Sequence, residues 1–149
     1  MTTGVKGEVA SLRLSCAFDL KALRKDVGLT QSQLAQRLGI HKNYVSQVER
    51  GMYNISIDTY ERFYLTLCAR TVEADSNRSL RIKVGGQLRA LRRNRGCSQV
   101  QLGMFAGFSE LFMGRVERGE VATSMDQLEK ICKLLKVDGR ALLRQCVKD

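Results

Sequence analysis

Apolar residues recur at helical spacing through residues 20–67, in four short runs separated by residues suited to helix ends. The inward positions of the four predicted helices are, in chain order, Leu20, Leu23 and Val27; Leu34 and Leu38; Val45 and Val48; and Ile57, Tyr60, Tyr64 and Leu67. The predicted helix ends are Gly28 and Gly39 as stops, Thr30 with Gln33 as a capping box, His41 as a start, and Ser56 with Asp58 as the last cap and first turn. This pattern predicts an all-α fold.

The same pattern occurs twice along the chain. A shift of 68 positions places Leu20–Leu67 over Leu88–Leu135, and 17 of the 48 aligned positions are identical without a gap. The identical residues of the first copy are Leu20, Ala22, Leu23, Arg24, Gly28, Gln31, Gln33, Leu34, Gly39, Val48, Glu49, Arg50, Gly51, Ser56, Asp58, Glu61 and Leu67. Agreement of this extent indicates a tandem duplication, and so long a period indicates paired domains rather than a solenoid.

We therefore expect two domains. The predicted boundaries are an N-terminal extension over residues 1–15, a first domain over 16–70, a linker over 71–82 and a second domain over 83–149. The linker falls in a stretch that is polar in its second half and has no sustained apolar period. The second copy continues into one more predicted amphipathic helix, in which Ala141, Leu142 and Cys146 share one face.

The second and third predicted helices of each copy are its most informative part. Two short helices joined through a glycine, the second with an exposed polar side, describe a helix-turn-helix. The alternative is a small helical bundle whose third helix merely faces solvent, because such turns also occur in other folds.

Charge favours a polyanionic partner. The chain has 149 residues and a formal net charge of +10. Residues 1–75 hold 10 basic and 8 acidic residues, whereas residues 76–149 hold 15 and 7, so most of the excess lies in the second half. An excess of basic residues favours binding to nucleic acid, although many basic proteins have basic surfaces that only contact solvent.

Several other classes of function receive no support from the sequence. There is no apolar run of membrane-spanning length and no signal-peptide core, so we expect an intracellular, cytoplasmic protein. The five cysteines are widely separated without a CxxC pair, which predicts free structural thiols and no metal site. With His41 as the single histidine and no P-loop, triad or paired carboxylates, we expect neither an enzyme nor a cofactor.

The stretch TQSQLAQRLGIHKNYVSQVERG, residues 30–51, closely resembles the phage-repressor helix-turn-helix family (Cro/CI-type, or XRE). The matching features are Thr30-Gln31, Leu34-Ala35, Gly39-Ile40, Val45-Ser46, Val48 and Glu49-Arg50-Gly51, and in the second copy Ser98-Gln99, Leu102, Gly107, Val116 and Glu117-Arg118-Gly119. The resemblance covers residues 17–68 and 85–143. It implies two tandem lambda-repressor-like domains of four to five helices each, which bind operator DNA together.

The outer face of the third predicted helix carries Lys42, Asn43, Ser46 and Gln47. Lysine can donate to guanine O6 and N7, and Asn or Gln can make paired bonds to adenine, so this face suits the major groove. The resemblance implies that these positions read bases, with Tyr44 beside them. The alternative is the ordinary polar face of a surface helix.

Phosphate contacts are expected around this helix. The resemblance implies that Gln31, and Gln99 in the second copy, contact phosphate. The segment Arg50–Asn54 follows the helix directly, where backbone and side chains can reach the DNA backbone.

The equivalent face of the second copy has different chemistry. It carries Glu110, Leu111, Gly114 and Arg115, with Phe112 beside them. The apolar residues indicate a protein contact. Arg115, Arg118 and Ser109 are candidate DNA contacts that grip phosphate with little base reading. We expect the second domain to serve assembly and to hold the DNA backbone.

Two ion pairs are expected, one in each copy. Arg24 and Glu49 correspond to Arg92 and Glu117 under the shift of the repeat. They resemble the family's link between the first helix and the end of the third. We expect both pairs to be buried or half-buried.

We interpret the chain as a sequence-specific DNA-binding transcriptional regulator on a two-fold-related operator, with repression as the sign that the family implies. One half-site offers few base contacts, so we expect a homodimer, with Leu111, Phe112, Leu142 and Leu143 as its candidate interface. Two alternatives stay open. A monomer can straddle both half-sites with its own two domains, or the duplicated fold can capture a protein partner as an antiactivator or antitoxin does.

Overall fold

In a computed structural model of the chain, residues 10–68 and 79–148 are described, and they form nine helices. The helices are α1 (Leu12–Val27), α2 (Gln31–Leu38), α3 (Lys42–Glu49), α4 (Ile57–Leu67), α5 (Leu80–Asn94), α6 (Gln99–Ala106), α7 (Glu110–Glu117), α8 (Met125–Leu134) and α9 (Gly139–Lys148). The all-α fold is therefore confirmed. α1 begins inside the predicted N-terminal extension, and most of the predicted linker over 71–82 lies outside the described residues.

The duplication produces two copies of one four-helix unit, α1–α4 in the first unit and α5–α8, extended by α9, in the second. The predicted capping box is present in the first unit, where Thr30 Oγ1 accepts from the Gln33 N–H at 3.1 Å and Gln33 Oε1 accepts from the Thr30 N–H at 2.8 Å. Ser98 and Gln101 repeat it in the second unit. Gly39 ends α2 with φ 68°, a left-handed conformation that glycine adopts at little cost.

A continuous hydrophobic core runs through both units. Two residues that were predicted to face inward are not buried in it. Val27 is 43% exposed, because the buried residue in the last turn of α1 is Arg24. In α4, Phe63 is fully buried and Tyr64 is only half-buried. The other predicted positions of α2, α3 and α4 lie in the core or pack against it.

α9 packs onto the second unit, and the burial of its two leucines contradicts the dimer interface expected from the sequence. Leu142 and Leu143 were expected at a surface shared with a second chain, but they are only 7% and 1% exposed. They belong to the hydrophobic core, since α9 packs against α5, α8 and α1. Neither leucine is available to a second chain in this fold.

The two units meet across an approximate two-fold axis. The segments that precede α4 and α8 form a short antiparallel bridge centred on Ser56 and Ser124. The Ile57 N–H donates to the Thr123 carbonyl at 2.9 Å, and the Met125 N–H donates to the Ile55 carbonyl at 2.9 Å. Under the shift of the repeat, Ile55 is equivalent to Thr123 and Ile57 to Met125. Each unit therefore contributes the same segment, as in an isologous contact.

The helices beside the bridge obey the same symmetry. α1 packs against α8, and the equivalent helix α5 packs against α4. Arg13 forms an ion pair with Asp126, while its equivalent Arg81 lies 3.5 Å from Asp58, the equivalent of Asp126. The contact between the units is thus a product of the duplication.

One further contact ties α1 of the first unit to α9 of the second. Asp19 accepts hydrogen bonds from Arg140 Nε at 2.9 Å and from Arg144 Nη2 at 2.9 Å. Burial of the carboxyl opposes its ionisation, but the hydrogen bonds from the two arginines outweigh burial, so the pKa of Asp19 lies below its usual value.

Replacing Asp19 with Ala should lower the free energy of unfolding at pH 7 by about 1–2 kcal/mol, because both arginines lose their acceptor at a partly exposed site. Urea unfolding measures this loss. The folded-state pKa is lowered, so the contribution is present above the unfolded-state pKa of about 3.9 and disappears as pH falls through the folded-state pKa. The gap between wild type and variant should therefore shrink below about pH 4. The exposed Asp26 of α1 supplies the control, and an equal loss in Asp26→Ala would contradict the role of this contact.

Candidate nucleic-acid interface

α3 is anchored to the first unit along its inner face. Val45 and Val48 are fully buried in the core. At the start of the helix, His41 Nδ1 accepts a hydrogen bond from the Asn43 N–H at 3.2 Å, which confirms His41 as the residue that caps α3. The outer face of α3 is thereby held in one orientation.

A buried network fixes the C-terminal end of α3. The guanidinium of Arg24 forms a two-pronged contact with the carboxylate of Glu49, with Nη2 3.0 Å from Oε2. Arg24 Nη1 also donates to the Leu29 carbonyl at 2.8 Å, and Gln31 Nε2 donates to Glu49 Oε2 at 2.8 Å. One carboxylate therefore joins α1, the start of α2 and the end of α3.

The second unit repeats this network with the same partners. Arg92 Nη2 lies 3.1 Å from Glu117 Oε2, and Arg92 Nη1 donates to the Cys97 carbonyl at 2.7 Å. Gln99 Nε2 donates to Glu117 Oε2 at 2.7 Å. Both predicted ion pairs are present, and all four side chains are buried.

Gln31 and Gln99, the expected phosphate contacts, are thus part of these networks. An amide nitrogen carries two protons, and the carboxylate accepts one of them in each unit. The second proton is left to donate elsewhere, while the carboxylate holds the amide in place. The geometry is compatible with a phosphate contact from either glutamine.

The expected base-reading residues fall into two levels along α3. Lys42 and Asn43 are exposed in its first turn, and Ser46 and Gln47 are half-buried one turn later. Gln47 Oε1 accepts a hydrogen bond from the Tyr53 hydroxyl at 2.6 Å. Paired bonding of Gln47 to adenine uses its amide oxygen and its amide nitrogen, and this oxygen can accept a second hydrogen bond beside that of the Tyr53 hydroxyl.

Tyr44 has a mainly structural environment. Its half-buried ring lies 5.3 Å from the ring of Tyr53 and 6.4 Å from that of Phe63, between ring centroids. Tyr53 itself was not among the expected site residues, because it lies in the loop after α3 and no helical periodicity marks it. The one feature of the sequence that could have indicated its contact with Gln47 is that a tyrosine lies six residues further along the chain.

The segment after α3 divides between two roles. Arg50 is exposed at the C-cap of α3, where its charge faces solvent. Asn54, expected to contact phosphate, accepts a hydrogen bond through Oδ1 from the Asp126 N–H of the second unit at 3.0 Å, which leaves its amide protons to donate. Only the assembled fold brings these two residues together.

The equivalent surface of the second unit is organised around α7. Ser109 caps the helix by accepting from the Phe112 N–H at 3.1 Å, and the half-buried Phe112 ring packs 5.0 Å from that of Phe108. Glu110, Leu111 and Arg115 are exposed. Phe112, an expected interface residue, therefore packs largely within its own unit.

Gly114 leaves room for an arginine side chain on this surface. A Cβ at this position would lie 3.0 Å from Arg118 Nη1. Arg118 also donates to Glu120 through Nε at 2.8 Å and Nη2 at 3.2 Å. Its charge is therefore compensated by a carboxylate, and Glu110 places an acidic group on the outer face of α7.

Of the large apolar side chains exposed on α6 and α7, two helices that pack together, three are more than half exposed. Met104 and Phe105 are each 77% exposed, and Leu111 is 64% exposed. We call these three residues the α6–α7 apolar residues. The exposed apolar chemistry predicted for the second unit is thus carried by α6 as well as α7.

Metal-binding and membrane-spanning features are absent from residues 10–68 and 79–148. No group of histidine, cysteine and carboxylate side chains there is arranged to hold a metal ion, and no helix is long and apolar enough to cross a membrane. None of the five cysteines forms a disulfide bond, and all five lie within the described residues. Burial raises the pKa of Cys16 and Cys132 to about 12, which keeps both as neutral thiols at pH 7.

Replacing Arg24 with Ala should lower the free energy of unfolding by about 3–5 kcal/mol, because Glu49 would be left as a buried carboxylate without its cation. Thermal or urea unfolding measures the change. Arg118→Ala is the matched control, since it removes an arginine from an exposed pair and should change stability little. Similar losses in the two variants would contradict the structural role of the buried pair.

Comparisons with known proteins match both units. A family model described as helix-turn-helix matches residues 20–63, and another described as a helix-turn-helix domain matches residues 83–145. A protein named immunity repressor, from Bacillus phage phi105, is 43% identical over 42 residues, which are 28% of this chain and 29% of that protein. A hypothetical transcription factor of Neisseria meningitidis serogroup B is 34% identical over 56 residues, 38% of this chain and 53% of that protein.

The matched region spans about half or less of the length of these relatives. The helix order of each unit, the capping box before α2 and α6, and the recurring Arg–Glu pair agree with the family matches over both halves. The chain belongs to the phage-repressor-like helix-turn-helix family, with one such domain in each half.

Proposed function

We propose that the chain is a DNA-binding transcriptional regulator that reads its operator with α3. The observation that carries this proposal is the outer face of α3, where exposed Lys42 and Asn43 stand on a helix fixed by the Arg24–Glu49 pair. The family matches support the same conclusion.

The proposed mechanism places α3 in the major groove. Lys42 donates to guanine O6 or N7, and Asn43 makes paired bonds to adenine N6 and N7. Gln31, held by Glu49, and the exposed Arg50 contact phosphates on either side. Gln47, whose side-chain oxygen accepts a hydrogen bond from the Tyr53 hydroxyl, contributes a further base contact.

We propose repression as the sign of regulation. A protein seated on an operator excludes polymerase by occupying the DNA, which requires no separate activating surface. The name of the phage relative, an immunity repressor, supports this sign. The site of action is then the cytoplasm of a prokaryotic cell, where the DNA lies.

An operator sequence can be obtained by selection from a random-sequence duplex library. Asn43→Ala and Lys42→Ala should each weaken binding to this operator by about 1–3 kcal/mol and relax the base preference at one position. Fluorescence anisotropy on matched and single-base-altered duplexes measures both effects. Lys133→Ala is the control, because it removes the same charge from an exposed position on α8. If Lys42→Ala and Asn43→Ala bind as the wild type does, α3 is not the reading helix.

A second candidate function is capture of a protein partner by the second unit. The α6–α7 apolar residues favour it, because exposed apolar side chains on adjacent helices are typical of protein contacts. They lie on the helices that correspond to α2 and α3 of the first unit. In this alternative the second unit recruits a protein, while the first unit holds DNA.

Replacing Met104 and Phe105 of α6 together with Glu tests this candidate. If a protein contact at this surface is needed for regulation, the double variant should keep at least half of the wild-type DNA affinity in vitro and lose regulation of an operator-linked reporter in cells. Leu134→Glu, an exposed leucine of α8, is the control. Unchanged regulation in the Met104 and Phe105 variant would exclude a required protein contact at these residues.

A further inference from the structure

We propose that one chain is a covalently linked pseudo-dimer, which places α3 and α7 on one DNA duplex and occupies a bipartite operator with two unlike halves. This inference rests on the proposed function, since it requires that α3 binds duplex DNA. It replaces the expected homodimer with a single chain per operator.

The first step is the symmetry of the contact between the units. The bridge between Ser56 and Ser124 joins equivalent segments, and the ion pairs on either side of it are also equivalent. A rotation of about half a turn about the bridge therefore carries α3 onto α7. Duplex DNA has local two-fold axes, so two helices related in this way have the symmetry that binding to two major-groove segments of one duplex requires.

The second step is that this arrangement is fixed before DNA binds. The units share a continuous hydrophobic core, in which Cys16 Sγ lies 3.8 Å from Met125 Sδ of the other unit. Asn54 and Asp19 add hydrogen bonds across the contact. Two domains joined by a flexible linker would bind DNA independently, whereas these two packed units approach DNA as one rigid body.

The third step is distance. The chain runs from Glu49, at the end of α3, to Ser56 at the axis, and this path spans at most about 25 Å even when fully extended. The same limit holds from Glu117 to Ser124. The ends of α3 and α7 therefore lie within about 50 Å of each other, a limit that admits the spacing of about 34 Å between half-sites one helical turn apart.

The fourth step is that the two reading surfaces differ in chemistry. Lys42 and Asn43 of α3 correspond to Glu110 and Leu111 of α7. Leu111 can contact a thymine methyl group, and Arg115 can donate to phosphate or to guanine, but α7 has no counterpart to the amide of Asn43 and carries an acidic residue in place of Lys42. The operator should consequently combine a strongly read half under α3 with a weakly read half under α7.

The surface that a homodimer would need is already covered within one chain. The two-fold surface of each unit is already occupied by the other unit of the same chain, and Leu142 and Leu143 lie in the core. A homodimer on DNA would select a palindrome, whereas the pseudo-dimer selects a site whose halves are unlike.

The test starts with selection of duplexes from a random-sequence library by the full chain. Native mass spectrometry of the chain with the selected duplex gives the stoichiometry, and hydroxyl-radical footprinting gives the protected positions. We expect one chain per duplex, two protected regions about 10 base pairs apart and a dissymmetric consensus. Asn43→Ala should weaken binding about tenfold to a hundredfold.

A double variant, Leu111→Ala with Arg115→Ala, should remove protection of one region only and weaken binding severalfold. Selective binding with two chains per duplex, or with one protected region, would overturn the pseudo-dimer and leave the proposed function standing. Selective binding that Lys42→Ala and Asn43→Ala leave unchanged, or no selective binding at all, would overturn the proposed function, and this inference with it.

Discussion

The pairing of one short segment with its own duplicate is the contact on which the arrangement of the whole chain depends. Ile55–Ile57 and Thr123–Met125 satisfy each other's backbone groups at the centre of the molecule. Buried backbone donors and acceptors need partners, and a segment that leaves its groups unpaired can find them in a second copy of itself. The symmetry of the flanking helices and ion pairs follows from this pairing.

Within each unit, a buried hydrogen-bond network fixes the position of α3 or α7. The Arg–Glu pair joins the first helix of the unit to the end of the third, and the glutamine at the start of the second helix joins the same carboxylate. A buried carboxylate tolerates few geometries, because each of its partners must be in place. The outer surface of α3 or α7 can then change without disturbing the scaffold beneath it.

The two units illustrate this separation of scaffold from surface. Capping boxes, the glycines after α2 and α6 and the buried ion pairs are retained in both. The outer faces have diverged from Lys42 and Asn43 to Glu110 and Leu111, and Met104 and Phe105 are exposed on α6. The excess basic charge of the second half is not concentrated on α7, which carries Glu110 beside Arg115, and the Arg118 that follows α7 pairs with Glu120.

Local chemistry and the repeat determined the helices, their caps and the buried Arg–Glu pairs, because these depend on spacing along the chain or on agreement between the copies. Tertiary structure alone decided the burial of Leu142 and Leu143, the contact of Asn54 with Asp126 and the hydrogen bond of Gln47 with Tyr53. In each case the deciding partner lies on another element, and periodicity shows which face of a helix is apolar but not what covers it. The two-fold contact between the units was likewise set by packing, since backbone pairing between distant segments leaves no side-chain pattern in the sequence.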